Sequence, residues 1–359
     1  GGKPPDPRVW FRWQAIGSLV MPAHLTGRRP ELSADELIGA LVPPPRFDAV
    51  RFDTYLPDPD EPSQAAAVEA CSAFAAKVGV RREKKRFRLF GGSPEPAGPM
   101  GLYLDGGFGV GKTHLLASTW HAAPSPKAYG TFVELTHLVG ALGFAEAVRR
   151  LSEHRILAID EFELDDPGDT TLVTRLLQEL MDAGVFVAAT SNTLPEKLGE
   201  GRFAAEDFLR EIQTLSARFG VVRVDGPDYR HRGLPDAPPP VSPEELESSA
   251  AAHDGSTVDD FDALCEHLAS LHPSRYGRLL DDVTRVHLRD VHPAPDQNVA
   301  LRLVAFADRL YDRAIPLVVS GEPLRSLFTE EMVNGGYRKK YLRAVSRLTA
   351  LARDAVPAS

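Results

Sequence analysis

Eight consecutive residues, Gly106-Gly107-Phe108-Gly109-Val110-Gly111-Lys112-Thr113, constrain this chain more than any other stretch. They follow the apolar Met100-Gly101-Leu102-Tyr103-Leu104 and lead into a helical pattern that begins near Lys112 and runs through Trp120. Glycine at these positions suits a tight loop that aims successive backbone N–H groups at an anion, where side chains would obstruct the approach. The helix behind the loop places its positive end under the same anion. Lys112 can then reach the outer phosphates, and the Thr113 hydroxyl is available to Mg²⁺. A unit of this kind predicts a nucleoside triphosphate site built from residues 106–113, with His114 counted among the nucleotide-binding residues. It also requires a strand, a loop and a helix in that order.

A second motif completes the prediction. Ile156-Leu157-Ala158-Ile159 is an apolar run suited to a central parallel strand, and Asp160-Glu161 closes it. A carboxylate at the carboxyl end of a buried strand faces the phosphate loop across the sheet. Asp160 is expected to hold Mg²⁺, directly or through water, and Glu161 to orient or deprotonate the attacking water. A water-activating glutamate favours hydrolysis over transfer to an acceptor. Val185-Phe186-Val187-Ala188-Ala189-Thr190 reads as another buried strand, and Asn192 follows it. An amide there can contact the terminal phosphate or the water; the plainer alternative is a turn or cap residue. Further strands are expected at Thr131–Leu135 and Val221–Val224, with helices near 136–151 and 170–182. Strand–helix alternation implies an α/β fold with a parallel sheet and helices on both faces.

The 359 residues suffice for one large domain or two of ordinary size. Composition divides them into a proline-rich extension over 1–60, a nucleotide-binding core over 61–232, a linker over 233–247 and a smaller mixed α/β or helical domain over 248–359. Within the extension, Ser33 and Glu36 have the spacing of a capping box, and Pro43-Pro44-Pro45 ends the helix they begin. Helices are also expected over 62–79, 257–269, 298–311 and 338–353, and a strand over Ile315–Ser320. A formal charge of −9 gives no global support for nucleic-acid binding. The one strong basic run, Arg81 to Arg88, is a solvated face, a contact for a polyanion or an acidic partner, or, less in keeping with its position, a direct contact to nucleotide. Cys71 and Cys265 lie far apart, with no disulfide framework or zinc-site spacing. No stretch is apolar for long enough to span a membrane, and the first residues lack a signal-peptide core. A cytoplasmic location is expected.

These residues together resemble the ZapE/AFG1-like family of ATPases, which are P-loop proteins related to AAA+ proteins. The resemblance runs through Gly101-Leu102-Tyr103-Leu104, Gly111-Lys112-Thr113-His114-Leu115, Asp160-Glu161-Phe162, Asp166-Pro167-Gly168-Asp169, Arg175-Leu176-Leu177 and Ala189-Thr190-Ser191-Asn192-Thr193. It continues in Val224 to Arg230, Phe306 to Asp312, Leu317 to Ser320 and Ser346-Arg347-Leu348, and Phe52, Tyr55 and Gln64 match its start. It implies a P-loop NTPase core of AAA+ type, ATP and Mg²⁺ as cofactors, and Asn192 as the first sensor. Arg347 would be a second sensor or a structural arginine. It also implies a protein partner: the tubulin-like protein of the division ring for bacterial relatives, or inner-membrane quality control for mitochondrial ones, with peripheral membrane association in either case. A homo-oligomer would let one subunit's arginine complete its neighbour's site. Relatives carry arginines before a Phe-Leu pair after the sensor, but here Ala205-Glu206-Asp207 precedes Phe208-Leu209. Arg202, Arg210 and Arg218 are the substitutes, with Arg210 preferred; Arg210 and Arg218 are expected on one helical face. The competing functions are a nucleic-acid loader and a nucleotide-gated scaffold with slow turnover.

Overall fold

A computed structural model describes residues 22–87, 99–107, 109–163, 167–193, 206–227 and 236–356. The chain forms two compact units. One comprises Glu31–Pro235 with His272–Arg275; the other comprises Asp236–Leu271 and Tyr276–Ser359 with the stretch that ends at Pro30. Residues 22–30 and 31–60, alike in composition, thus go to different units.

The first unit opens with α1 (Ala34–Gly39) and α2 (Pro62–Phe87). Ser33 caps α1 as its spacing predicts: its Oγ accepts from Glu36 N–H, and the Glu36 carboxylate accepts from Ser33 N–H at 2.8 Å. Then follow β1 (Gly101–Gly106), α3 (Lys112–Ala122), β2 (Lys127–Thr131), α4 (Phe132–Leu142), α5 (Phe144–Leu151) and β3 (Ile156–Asp160). The remaining elements are α6 (Pro167–Asp182), β4 (Phe186–Ser191), α7 (Glu206–Ser216) and β5 (Phe219–Val224). All five strands are parallel, in the order β2-β3-β4-β1-β5.

Alternate residues of the central strands enter opposite cores. Tyr103, Leu157, Ile159, Val187 and Ala189 pack with Leu135, Leu176 and Ile212 on one face. Leu102, Leu104, Ile156, Ala158 and Ala188 pack with Phe74, Leu115 and Leu116 on the other. Burial on both faces explains why β1, β3 and β4 read as unbroken apolar runs. The strand expected at Thr131–Leu135 lies instead at Lys127–Thr131, and residue 132 begins a helix. Thr131 is the reason: its hydroxyl accepts from Glu134 N–H at 3.2 Å while Glu134 Oε2 accepts from Thr131 N–H at 2.7 Å, so the chain turns into α4 there. The helix expected over 136–151 is two helices, parted at Gly143, whose φ is +83°.

The second unit contains α8 (Pro243–Ala251), β6 (Ser256–Asp260), α9 (Phe261–Ala269), α10 (Tyr276–Leu279) and β7 (Arg285–Val291). It ends with α11 (Gln297–Asp312), β8 (Leu317–Gly321), α12 (Glu330–Val333) and α13 (Arg338–Asp354). Its sheet is parallel in the order β6-β7-β8, so the unit is mixed α/β. Residues 257–260, expected at the start of a helix, are strand. The buried Asp259 carboxylate accepts from Leu25 N–H at 2.9 Å and from Thr26 N–H at 3.1 Å, which fixes residues 22–30 to this unit. Among the described residues no helix is long and apolar enough to cross a membrane.

Candidate active site

The site grows from the carboxyl ends of β1, β3 and β4, where an open parallel sheet presents its loops. The loop after β1 needs glycine at defined points. Gly109 and Gly111 have φ of +80° and +86°, which L side chains rarely adopt. A Cβ on Gly106 would come within 2.2 Å of the Val224 carbonyl, and one on Gly111 within 2.5 Å of the Tyr55 ring. Tyr55 also supports the loop by donating from its hydroxyl to Val110 O at 2.8 Å. Phe108 lies outside the described residues.

Lys112 begins α3 and folds back over the loop. Its Nζ donates to Gly106 O at 2.7 Å, Gly107 O at 2.5 Å and Asn192 Oδ1 at 2.9 Å. Burial pulls its pKa down to about 8, against the opposing pull of Asp160, Asp105 and Glu163. A lysine held this way is a poorly solvated cation. His114, two residues on, has Nε2 at 2.9 Å from Thr54 Oγ1 and 3.0 Å from Arg51 O. It therefore tethers the segment before α2 to α3.

Asp160 is buried and saturated with donors. Thr113 Oγ1 at 3.1 Å, Thr190 Oγ1 at 2.5 Å and Glu161 N–H at 3.2 Å reach its Oδ1; Tyr129 OH reaches Oδ2 at 3.2 Å. Burial raises its pKa, with Glu161's charge adding to the rise and the three hydroxyl donors opposing it. Burial and Asp160 together push the Tyr129 phenol well above its ordinary value, so it stays a donor. The adjacent Thr113 hydroxyl and Asp160 carboxylate are hard oxygen donors of the kind Mg²⁺ takes alongside phosphate and water oxygens. Glu161, the next residue, adopts a left-handed φ of +54°. Such backbone in a non-glycine residue costs about 1 kcal/mol or more and concentrates at functional sites.

Strand order decides what meets what. β4 lies between β1 and β3, so Asn192 emerges between Lys112 and the Asp160-Glu161 pair. The structure thus brings Lys112, Thr113, Asp160 and Asn192 into one hydrogen-bonded cluster, with Glu161 at its edge. Arg210 is exposed on α7. Arg218 falls beyond the end of α7 at Ser216, so it does not continue that helix's face, and it pairs with Asp182 at 2.7 Å. Arg202 and Ala205, and the side chains of Glu206 to Leu209, lie outside the described residues, as do the side chains of Arg81 to Arg88. Arg347 in the second unit contacts Asp308 at 2.5 Å and lies over the Tyr311 ring at 5.1 Å.

Four contributors escaped sequence reasoning. Tyr129 and Thr190 hold Asp160, Glu163 accepts from Asn192 N–H at 2.9 Å, and Asp105 pairs with Arg223 at 2.6 Å beside the loop. Thr190 lies inside a recognised motif and Glu163 directly follows one, and that placement was the available signal. The Tyr129 contact depends on strand pairing, since Tyr129 opposes Ala158 in β3.

A family model described as AFG1-like ATPase matches residues 33–253 and 244–357. Cell division protein ZapE of Escherichia coli strain K12 is 28% identical over 299 residues, spanning 71% of this chain and 78% of that protein. Lactation elevated protein 1 homolog B of Danio rerio is 26% identical over 168 residues, 40% of this chain and 33% of that protein. Domain III of the Thermotoga maritima replication initiation protein DnaA superposes with a TM-score of 0.37 at 21% identity, over 51% of this chain and 69% of that one.

Proposed function

The chain belongs to the AFG1-like ATPase family, and from that premise we propose that it hydrolyses ATP at the site above and couples the cycle to conformational work on a protein partner. The observation that carries this reading is the Lys112–Asn192 hydrogen bond beside the Thr113–Asp160 contact. Together they join the phosphate loop, the acidic strand end and the strand end between them.

In this reading the loop N–H groups and the start of α3 bind the phosphates, and Lys112 exchanges its carbonyl partners for phosphate oxygens. Thr113 and Asp160 would hold Mg²⁺, which neutralises phosphate charge when bound. Glu161 orients the attacking water and takes its proton. Asn192 contacts the terminal phosphate or the water and reports its loss through β4. Arg210 is assigned as the residue that reaches a neighbouring subunit's site in a homo-oligomer.

The partner assignment is a division-ring protein of tubulin type, or a membrane-associated quality-control substrate. The name of the Escherichia coli relative supports a task in cell division, and the tubulin-type protein and the quality-control substrate are carried over from the family resemblance. The protein would then work in the cytoplasm, peripheral to the membrane or division site. The test is steady-state ATP hydrolysis with and without purified polymers of the tubulin-like protein, membrane extract and single-stranded DNA. Stimulation by either protein source supports the reading. Stimulation by DNA alone refutes the partner assignment and restores the loader alternative.

A further inference from the structure

We propose that Glu163 is a positioning residue for Asn192, clamping the turn after β4 so that the Asn192 amide stays on Lys112. The inference rests on the reading of Asn192 as a phosphate-contacting group and extends it to the residue that fixes its orientation.

Asn192 itself is exposed, and it stands at the end of a strand rather than within one. The rotamers open to such a side chain, and the point from which it reaches Lys112, depend on how its backbone is held. Glu163 supplies the hold. Its Oε1 accepts from Asn192 N–H at 2.9 Å and from Ser191 Oγ at 3.3 Å, while Thr193 Oγ1 points to Oε2 at 3.4 Å. The same turn is pinned from the sheet side, where Tyr103 OH donates to Thr193 O at 2.5 Å. With the backbone fixed at 191, 192 and 193, the amide oxygen meets Lys112 Nζ.

Glu163 reaches this position because of the chain's path after β3. Glu161 turns left-handed, and its N–H is held by Asp160 Oδ1 and by Thr190 Oγ1 at 3.1 Å. Phe162 N–H then donates to Thr190 O at 2.8 Å, which carries the chain across the end of β4. Two residues past the general base, Glu163 comes over Asn192. The strained φ at Glu161 therefore serves two ends: it presents the Glu161 carboxylate and delivers Glu163 to the sensor turn. The acidic strand and the sensing strand are joined by a charge-assisted hydrogen bond, stronger than a neutral one. A change at Glu161 on hydrolysis reaches the Asn192 backbone through two residues of chain and one hydrogen bond.

The test is a double-mutant cycle on ATP turnover in the full chain, with Glu163→Ala, Asn192→Ala and the pair. Glu163→Ala should lower kcat roughly tenfold, the size expected for losing one charge-assisted hydrogen bond, with KM for ATP changed by less than about twofold. In the Asn192→Ala background the same substitution should have no further effect. Glu163→Gln keeps an acceptor for Asn192 N–H and should recover most of the rate; if Glu163→Ala does not fold, Glu163→Leu, which removes the acceptor and keeps the side-chain bulk, takes its place in the cycle. Multiplicative losses in the cycle would overturn the positioning role and leave Asn192's own role intact, as would an unchanged kcat in Glu163→Ala. An Asn192→Ala protein with wild-type kcat would take down both this inference and the reading beneath it.

Discussion

Replacing Lys112 by Met should make the nucleotide-free protein more stable. The lysine stands largely buried among Gly106, Gly107 and Asn192, and its pKa is about 8 in place of 10.5. A lysine whose folded pKa is depressed binds its proton more weakly in the folded state than in the unfolded one. Folding therefore carries a penalty that is fully present below about pH 8 and fades as pH rises toward 10.5. At 1.36 kcal/mol per unit the ceiling is about 3 kcal/mol at pH 7. Partial solvent access and the loss of three hydrogen bonds lower the expected gain to about 1–2 kcal/mol. The assay is urea-dependent hydrogen exchange in EDTA, scored on β1, β3 and β4 amides so that only the unit carrying Lys112 counts. The difference between Lys112→Met and wild type should be largest near pH 7 and at least halved by pH 9.5. A variant less stable than wild type at pH 7, or a difference that ignores pH, would refute the reasoning. Adding ATP and Mg²⁺ should reverse the order, since only the wild type gains from binding.

Tyr129→Phe removes the donor on Asp160 Oδ2 and leaves the packing of a fully buried ring. Several-fold more Mg²⁺ should be needed for nucleotide binding, followed by a fluorescent ATP analogue, while binding in EDTA stays as in wild type. Gly111→Ala sets a Cβ against the Tyr55 ring at a φ of +86° and should weaken nucleotide binding more than tenfold by calorimetry. Asp308→Asn in the second unit removes the buried carboxylate charge that Arg347 and Arg343 face and should cost about 2–4 kcal/mol in urea unfolding of α11 and α13. Burial pushes the Asp308 carboxyl up, but Arg347, Arg343 and Arg309 outweigh it and hold its pKa below the ordinary value. The stability it contributes is thus present above the ordinary carboxylate pKa near 4 and lost as pH falls below it, which acid titration of wild type against Asp308→Asn should show.

Legibility in the sequence followed burial and local chemistry. β1, β3 and β4 announce themselves because both faces are covered, and the loop between β1 and α3 because only glycine serves there. β2 was misplaced because Lys127 to Thr131 offers little apolar sequence, while Phe132 and Val133 look strand-like and yet begin a helix. The Thr131–Glu134 capping box was the local sign. β6 and β7 were missed for a different reason. Ser256, Thr257, Asp259 and His287 are polar yet buried, and their place inside the second unit rests on distant partners such as Leu25 N–H for Asp259 and Ser249 Oγ for His287. The same limit applies at the site. Lys112, Thr113, Asp160 and Asn192 could be named from motifs, but the Tyr129–Asp160 and Glu163–Asn192 contacts exist only once strand order is set. Arg210 and Arg218 show the converse error: a helical spacing of eight means little when the helix ends at Ser216 between them.

On the proposed reading, Glu161 activates water for ATP cleavage at the cluster of Lys112, Thr113, Asp160 and Asn192. The most direct test of that role is a single turnover: trace radiolabelled ATP mixed with excess protein and Mg²⁺, quenched and resolved into ATP and ADP, for wild type and Glu161→Gln. Both should bind the nucleotide; wild type should convert it to ADP, and Glu161→Gln should hold it as ATP, slowed about a hundredfold or more. Cleavage by Glu161→Gln at the wild-type rate would contradict it.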